Sequence, residues 1–176
     1  MIFNPRTLKT VLGYGISLIE KYSGISFKKN KLTSILNYLP INSSLSTSGQ
    51  PTAQQLKSIQ AAGFSTIINL APAGAENALK NEATLVADLG MDYINIPVDF
   101  SNPTEQDFAQ FVSQLKSQRN KKIWVHCAAN MRVSCFIFKY RTAILGENSS
   151  YAEADLRKIW RPNHIWKTFI TKPANS

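Results

Sequence analysis

Apolar positions recur along the chain with two periods, and the switches between them mark out alternating helices and strands. Leu8, Val11, Leu12, Leu18, Ile19 and Tyr22 keep an approximate helical spacing that starts at Asn4-Pro5, a cap with a first-turn proline, and stops at Gly24. The Lys- and Ser-rich residues 25–31 then read as a linker. Asn37 to Leu45 holds a short strand or turn, and Ser48-Gly49-Gln50-Pro51 has the composition of a sharp turn. Thr52 and Gln55 have capping-box spacing for a helix whose apolar face is Leu56 and Ile59 and whose stop is Gly63. Phe64 to Leu70 reads as a strand, Ala75 to Leu89 as a helix closed by Gly90, and Tyr93 to Val98 as a further strand.

Phe108, Phe111, Val112 and Leu115 form a helical core stripe. Ile123, Trp124 and Val125 follow two lysines and suit a buried central strand; Met131 to Leu145 then has helical character and closes at Gly146. Ser150 and Glu153 have capping-box spacing for a helix ending near Trp160, and the tryptophans of residues 160–166 either close the core or wall a pocket. Strand, helix, strand, helix in this rhythm predicts an α/β fold: one domain with a central, mostly parallel sheet covered by helices on both faces. Residues 1–31 are expected to be a helical extension and linker, and residues 32–176 the domain proper. An amphipathic helix docked on the domain is the preferred reading of the extension. Its apolar run Val11 to Ile19 is too short to span a bilayer and lacks a small-residue cleavage site.

Composition adds charge to this picture. With 176 residues, 44% hydrophobic and 18% charged, the chain has the makeup of a globular protein with one core. Its net charge of +9 is uneven. Residues 1–32 carry six Lys/Arg and one Glu, residues 33–115 two against seven, and residues 116–176 twelve against three, giving +5, −5 and +9. The basic C-terminal part would draw anionic substrates, and phosphoesters fit that field. No basic run interleaved with exposed aromatics points to nucleic acid. A membrane surface is the alternative contact for the basic N-terminal helix. Cys127 and Cys135 make no disulfide framework, and with His126 and His164 as the only histidines no metal pattern arises, so no metal or cofactor is expected. The expected location is cytoplasmic.

The candidate chemistry lies where the strand at 123–125 meets the helix at 131. A loop between a strand end and a helix start gathers backbone N–H groups, and the helix dipole favours negative charge there. Cys127 sits in that field, which can lower a thiol from about 8.5 toward roughly 3.5–7.5 and make it a standing nucleophile. Arg132 offers a planar fork for two oxygens of a phosphate or sulfate, and Ser134 a hydroxyl for the sulfur. Asp99 is expected at another strand end, where α/β sheets place their active sites. Glu105 and Asp107 are rival acids that fall in the first turns of the next helix. Cys135, just inside the helix after the loop, reads as a core residue, with a protective disulfide to Cys127 as the other reading.

His126-Cys127, a short loop, Arg132 and Ser134 between strand and helix resemble the signature of the cysteine-dependent protein tyrosine phosphatases, including the dual-specificity group. Thr47-Ser-Gly-Gln-Pro-Thr52, Gly63 to Leu70 and Ile96-Pro-Val-Asp99 resemble an atypical, mainly bacterial subfamily of the same proteins, so that the likeness runs from about residue 32 to 170. Four residues separate Cys127 from Arg132 where the family has five, and Asn130 stands at the family's glycine, while Ser134 keeps the family's distance from the cysteine. Asn tolerates the positive φ that a glycine position can demand.

The resemblance implies a phosphotyrosine phosphatase-like fold and a phosphomonoester hydrolase working through a phosphocysteine. It makes Cys127 the nucleophile and Asp99 the general acid and base. Arg132 and the loop Ala128, Ala129, Asn130, Met131, Val133 and Ser134 would hold the phosphate, with His126 orienting the loop. The partner would be a phosphorylated substrate, either a phosphoprotein or a small phosphoester. Two alternatives stand beside it. Rhodanese-like sulfurtransferases also carry a loop cysteine and show a four-residue gap to arginine, and a pseudophosphatase would bind phosphate without turnover.

Overall fold

The computed structural model describes residues 5–23 and 31–173; the expected cap at Asn4, the stop at Gly24 and all but the last residue of the 25–31 linker lie outside them. Among the described residues, seven α-helices and five strands follow one another: α1 (Pro5–Ser23), β1 (Leu39–Pro40), β2 (Leu45–Ser48), α2 (Ala53–Ala61), β3 (Thr66–Asn69), α3 (Glu82–Asp88), β4 (Asp92–Asn95), α4 (Glu105–Ser117), β5 (Ile123–His126), α5 (Met131–Lys139), α6 (Ser149–Ile159) and α7 (His164–Thr171). The sheet order is β1-β2-β5-β3-β4, with β1 antiparallel to β2 and the other neighbours parallel. β5 is the centre, pairing β2 on one side and β3 on the other in register from Ile123 to His126.

β2, β3 and β5 are buried at every position, as central parallel strands covered on both faces must be. One face packs against α2 and α3 through Leu56, Ile59 and Val86, with Met91 from the turn after α3, around a fully buried Trp124. Trp124 stacks on Tyr38 at 5.3 Å and takes Phe64 edge-on at 5.0 Å. The other face packs the α4 stripe of Phe108, Phe111, Val112 and Leu115 with residues of α5, α6 and α7. α1 lies over this assembly and is fastened to α6, where the Thr10 hydroxyl donates to the Ile159 carbonyl at 2.5 Å. The mostly parallel sheet between two helical layers is the expected architecture.

Several local expectations are corrected. Residues 75–81 are turns and irregular chain, and the helix is confined to α3, because Asn81 takes a left-handed conformation at φ 57° and the Asn77 amide is drawn away to the Ala128 carbonyl. The helix expected from 131 to 145 is α-helical only to Lys139 and continues as a wider π turn over Tyr140–Ile144 before Gly146, at φ 67°. There the Thr142 hydroxyl donates into the ladder at the Phe138 carbonyl, and Arg141 is pulled toward Glu147 and Asp155. α6 is capped by Asn148, whose side chain accepts from the Ser150 N–H, so Ser150 lies inside the helix. The capping box at Thr52 and Gln55 is present as read.

Candidate active site

β5 ends at His126, and the chain passes through Cys127–Asn130 into α5, so the loop opens at the carboxyl end of the central strand. Asn130 makes the entry to α5 at φ 65°, the left-handed conformation expected of the family's glycine position. Its side chain adds what a glycine could not: Nδ2 donates to the Asn37 carbonyl at 2.7 Å and to Thr47 Oγ1 at 3.0 Å. Asn37 answers from its own Nδ2, donating to the Ala129 carbonyl at 3.0 Å and to Thr10 Oγ1 at 3.2 Å. The Ala128 carbonyl accepts from the Gln50 N–H at 3.2 Å and from Asn77 Nδ2 at 2.9 Å. With its carbonyls held from behind, the loop is fixed before any ligand arrives.

Cys127, Ala128, Ala129, Met131 and Arg132 line one cavity of 540 Å³, whose other walls include Val11 and Tyr14 of α1, Ala75, Glu76 and Phe100. The Arg132 guanidinium sits in the first turn of α5, its Nε donating to the Val98 carbonyl at 2.9 Å and its Cζ 5.2 Å from the Phe100 ring centroid. The structure therefore brings Cys127 and Arg132 to the same space despite the short gap between them. Phe100 is in turn held by Trp166, whose Nε1 donates to its carbonyl at 3.0 Å, and by Trp160 at 5.7 Å between ring centroids. Trp160 and Trp166 belong to the core and support the 98–101 segment from below.

Asp99 follows Val98 in that segment but is exposed, and its Oδ1 accepts from the Ser101 N–H at 2.8 Å and the Ser101 hydroxyl at 2.7 Å. These bonds, together with the nearby charge of Arg132, hold its carboxyl below the ordinary aspartate value. The rival acids are occupied elsewhere: Glu105 pairs with the buried Lys139, and Asp107 closes a capping box with Thr104 at the start of α4. Val133 is buried in the core, and the Ser134 hydroxyl donates to the Met131 carbonyl at 2.9 Å while accepting from Trp160 Nε1 at 3.2 Å. Its proton is thus directed away from the cysteine sulfur. Cys127 and Cys135 are both free and buried, and burial pushes the Cys135 thiol well up, as for a core residue.

A buried group beneath the loop escaped the reading of the sequence. Glu82, in the first turn of α3, accepts from Gln50 Nε2 at 2.5 Å, Asn69 Nδ2 at 3.0 Å and Tyr93 OH at 3.1 Å. Its Oε1 lies 3.3 Å from His126 Nε2, an ion-pair distance without hydrogen-bond alignment. Burial alone would raise this carboxyl, but His126 and the donors Gln50 and Tyr93 outweigh it and leave it lowered. Burial beside the carboxylate also pushes the Tyr93 phenol up to about 12. In sequence Glu82 looks like any acidic residue near a helix start. Nothing in its spacing marks the four partners, which come from 11 to 44 positions away.

Known proteins share this fold. A protein of Shewanella putrefaciens CN-32 described as a candidate phosphatase is 30% identical, superposes with a TM-score of 0.72, and is matched over 80% of this chain and 92% of its own. TpbA of P. aeruginosa, solved in complex with pTyr, is 14% identical and shares the fold with a TM-score of 0.62 over 78% of this chain and 85% of its own. Over 95 residues, 52% of the chain, the sequence is 34% identical to the beta-lactamase hydrolase-like protein of Agrobacterium fabrum; the match spans 22% of that protein's length. Residues 29–164 match the family described as DSP-PTPase phosphatase fused to NAD+ kinase, and the chain belongs to that family of phosphatases, hydrolases of phosphoric monoesters.

Proposed function

We propose that the chain hydrolyses phosphomonoesters in two steps through a phosphocysteine at Cys127. In the first, the Cys127 thiolate attacks phosphorus, the bond to the leaving oxygen breaks, and Asp99 gives that oxygen its proton. In the second, water attacks phosphorus, the Asp99 carboxylate takes the water's proton, the P–S bond breaks, and inorganic phosphate leaves with the thiolate restored. Arg132 and the N–H groups of residues 128–133 hold the equatorial oxygens, where charge stabilisation contributes most. His126 lies beneath the loop beside the Glu82 carboxylate, its Nε2 3.3 Å from Glu82 Oε1. The route calls on no metal ion or cofactor.

The observation that carries this reading is the shared cavity of Cys127 and Arg132 at the end of the central strand. Asp99 reaches the leaving group only when its segment turns it from Ser101 toward the cavity, a tightening that substrate binding supplies in many enzymes. Val11, Tyr14, Phe100 and Met131 give the cavity an apolar wall, and Glu76 a carboxylate. This lining suits a monoester on a phosphoprotein or small molecule, such as the pTyr bound by TpbA, better than a polyphosphate. Residues 32–176 would be the phosphatase unit, with residues 1–31 an appended helical segment. Two free thiols suit the reducing cytoplasm.

The test is hydrolysis of para-nitrophenyl phosphate without added metal, comparing the natural protein with Cys127→Ser and Asp99→Asn. Turnover lost with Cys127 and reduced with Asp99→Asn is expected. Turnover retained by Cys127→Ser would overturn the mechanism, and phosphate binding without turnover in the natural protein would leave only a binding site. The family match gives the sulfurtransferase alternative no support; thiocyanate formation from thiosulfate and cyanide would be required to revive it.

A further inference from the structure

α1 has one face fixed and one face open. Thr10 is buried against Ile159, and Val11 and Tyr14 reach the catalytic cavity. Around the helix from these, Leu8, Leu12, Ile16 and Ile19 follow at spacings of four, four and three and are 45%, 58%, 44% and 58% exposed. Leu8, Leu12 and Ile16 continue into an open groove floored by Ile35, Leu36 and Leu39. An apolar stripe of this length on an outer helix is uncommon on a surface that meets only water.

The charge beside the stripe is mostly positive. Arg6, Arg157, Lys158 and Arg161 surround one depression at the N-terminal end of α1, and Lys9 and Lys158 border the groove. Among the described residues, Glu153 is bonded to Arg157, and Asp155 is shared between Arg141 and Lys158. Lys9, Arg157, Lys158 and Arg161, with Arg6 beside them, outnumber the carboxylates of the described residues there and make a positive rim to an apolar stripe. That pairing is the chemistry of a helix lying in the interface of an anionic membrane, with its side chains in the acyl boundary and its basic flank at the headgroups. A second copy of the chain would bring two positive rims together across a twofold axis, which the same charge opposes.

We propose that the open face of α1, with the basic cluster at its N-terminal end, is a docking surface for an anionic lipid bilayer. Because the same helix gives Val11 and Tyr14 to the catalytic cavity, docking also fixes the cavity relative to the bilayer. The proposal stands apart from the phosphocysteine chemistry, and either can fail without the other.

The test is co-sedimentation of the full chain with phosphatidylcholine vesicles, with and without phosphatidylserine, alongside the double variant Leu12→Asp, Ile16→Asp and the single variant Arg161→Gln. Binding is expected only to the anionic vesicles. The double variant is expected to weaken it by about tenfold or more, and Arg161→Gln by about fivefold, each with para-nitrophenyl phosphate turnover unchanged. Absence of sedimentation with anionic vesicles, or binding that both variants leave intact, overturns the proposal. Self-association in analytical ultracentrifugation that the double variant abolishes, without vesicle binding, would assign the face to a second copy instead.

Discussion

Arg132 Nε donates to the carbonyl of Val98 at 2.9 Å, which ties the guanidinium at the cavity to the residue immediately before Asp99. The bond uses one of the five donors and leaves the Nη atoms for a phosphate. A lysine has no planar fork and cannot hold the carbonyl and two phosphate oxygens at once. Arg132→Lys is expected to lower kcat/KM for para-nitrophenyl phosphate about 10²-fold or more, the scale of losing a transition-state donor. A loss of only a few-fold would show that Arg132 does not meet the transferring phosphoryl group.

With Asp99 in its proposed role as general acid, its bonds to Ser101 predict a pH dependence. Their presence lowers the Asp99 carboxyl, and a general acid must be protonated to act, so activity that needs the acid declines as pH rises through that lowered value. Ser101→Ala removes the leading cause. The descending limb of the kcat/KM profile is then expected to move to higher pH, while Asp99→Asn abolishes the limb and costs on the order of 10²–10⁴ in rate. A limb that stays in place in Ser101→Ala would assign it to another group.

Glu82 contributes stability with a definite sign. Its folded carboxyl lies below the unfolded value, so the contribution is present above the unfolded value and is lost as pH falls through the folded one. Glu82→Gln is expected to cost about 1–3 kcal/mol in urea unfolding at neutral pH, through poorly satisfied partners. The gap from the natural protein should narrow at about pH 3, below the ordinary glutamate value. An equal gap at both pH values would show that the charge of Glu82 contributes nothing.

Gly49 cannot carry a side chain cheaply. A Cβ there would stand 3.0 Å from Leu36 Cγ and 3.1 Å from the Ala128 carbonyl oxygen. Leucine can yield a little, but the carbonyl is pinned by Gln50 and Asn77. Gly49→Ala is expected to destabilise by about 1–3 kcal/mol and to weaken inhibition by phosphate as the loop shifts. Unchanged phosphate inhibition would show that the loop is held independently of its neighbour.

The readable parts of this molecule were the local ones. The strand into Cys127, the helix after it, the Thr52–Gln55 capping box and the stop at Gly63, found at φ 84°, each rest on residues within a few positions of one another. Positive φ at Asn130 was foreseeable from the residue type. Its amide bonds, which reach 83 and 93 positions back to Thr47 and Asn37, were not. The same distance hid the Glu82 cluster. It also misled at 75–81, where a helical pattern is overridden because Asn77 is spent on a carbonyl 51 positions away. α7 was missed because its eight residues present two aromatic side chains to the core and too short a period to read.

The Asn37 side chain is a junction. One nitrogen donates both to the Ala129 carbonyl in the loop after Cys127 and to the hydroxyl by which α1 is fastened to α6. A chain trimmed to begin at residue 32 would lose that hydroxyl and two side chains of the cavity wall at one stroke. Such a shortened protein would offer a wider, wetter mouth. Its broader tolerance of substrates would belong to the trimming and not to the enzyme.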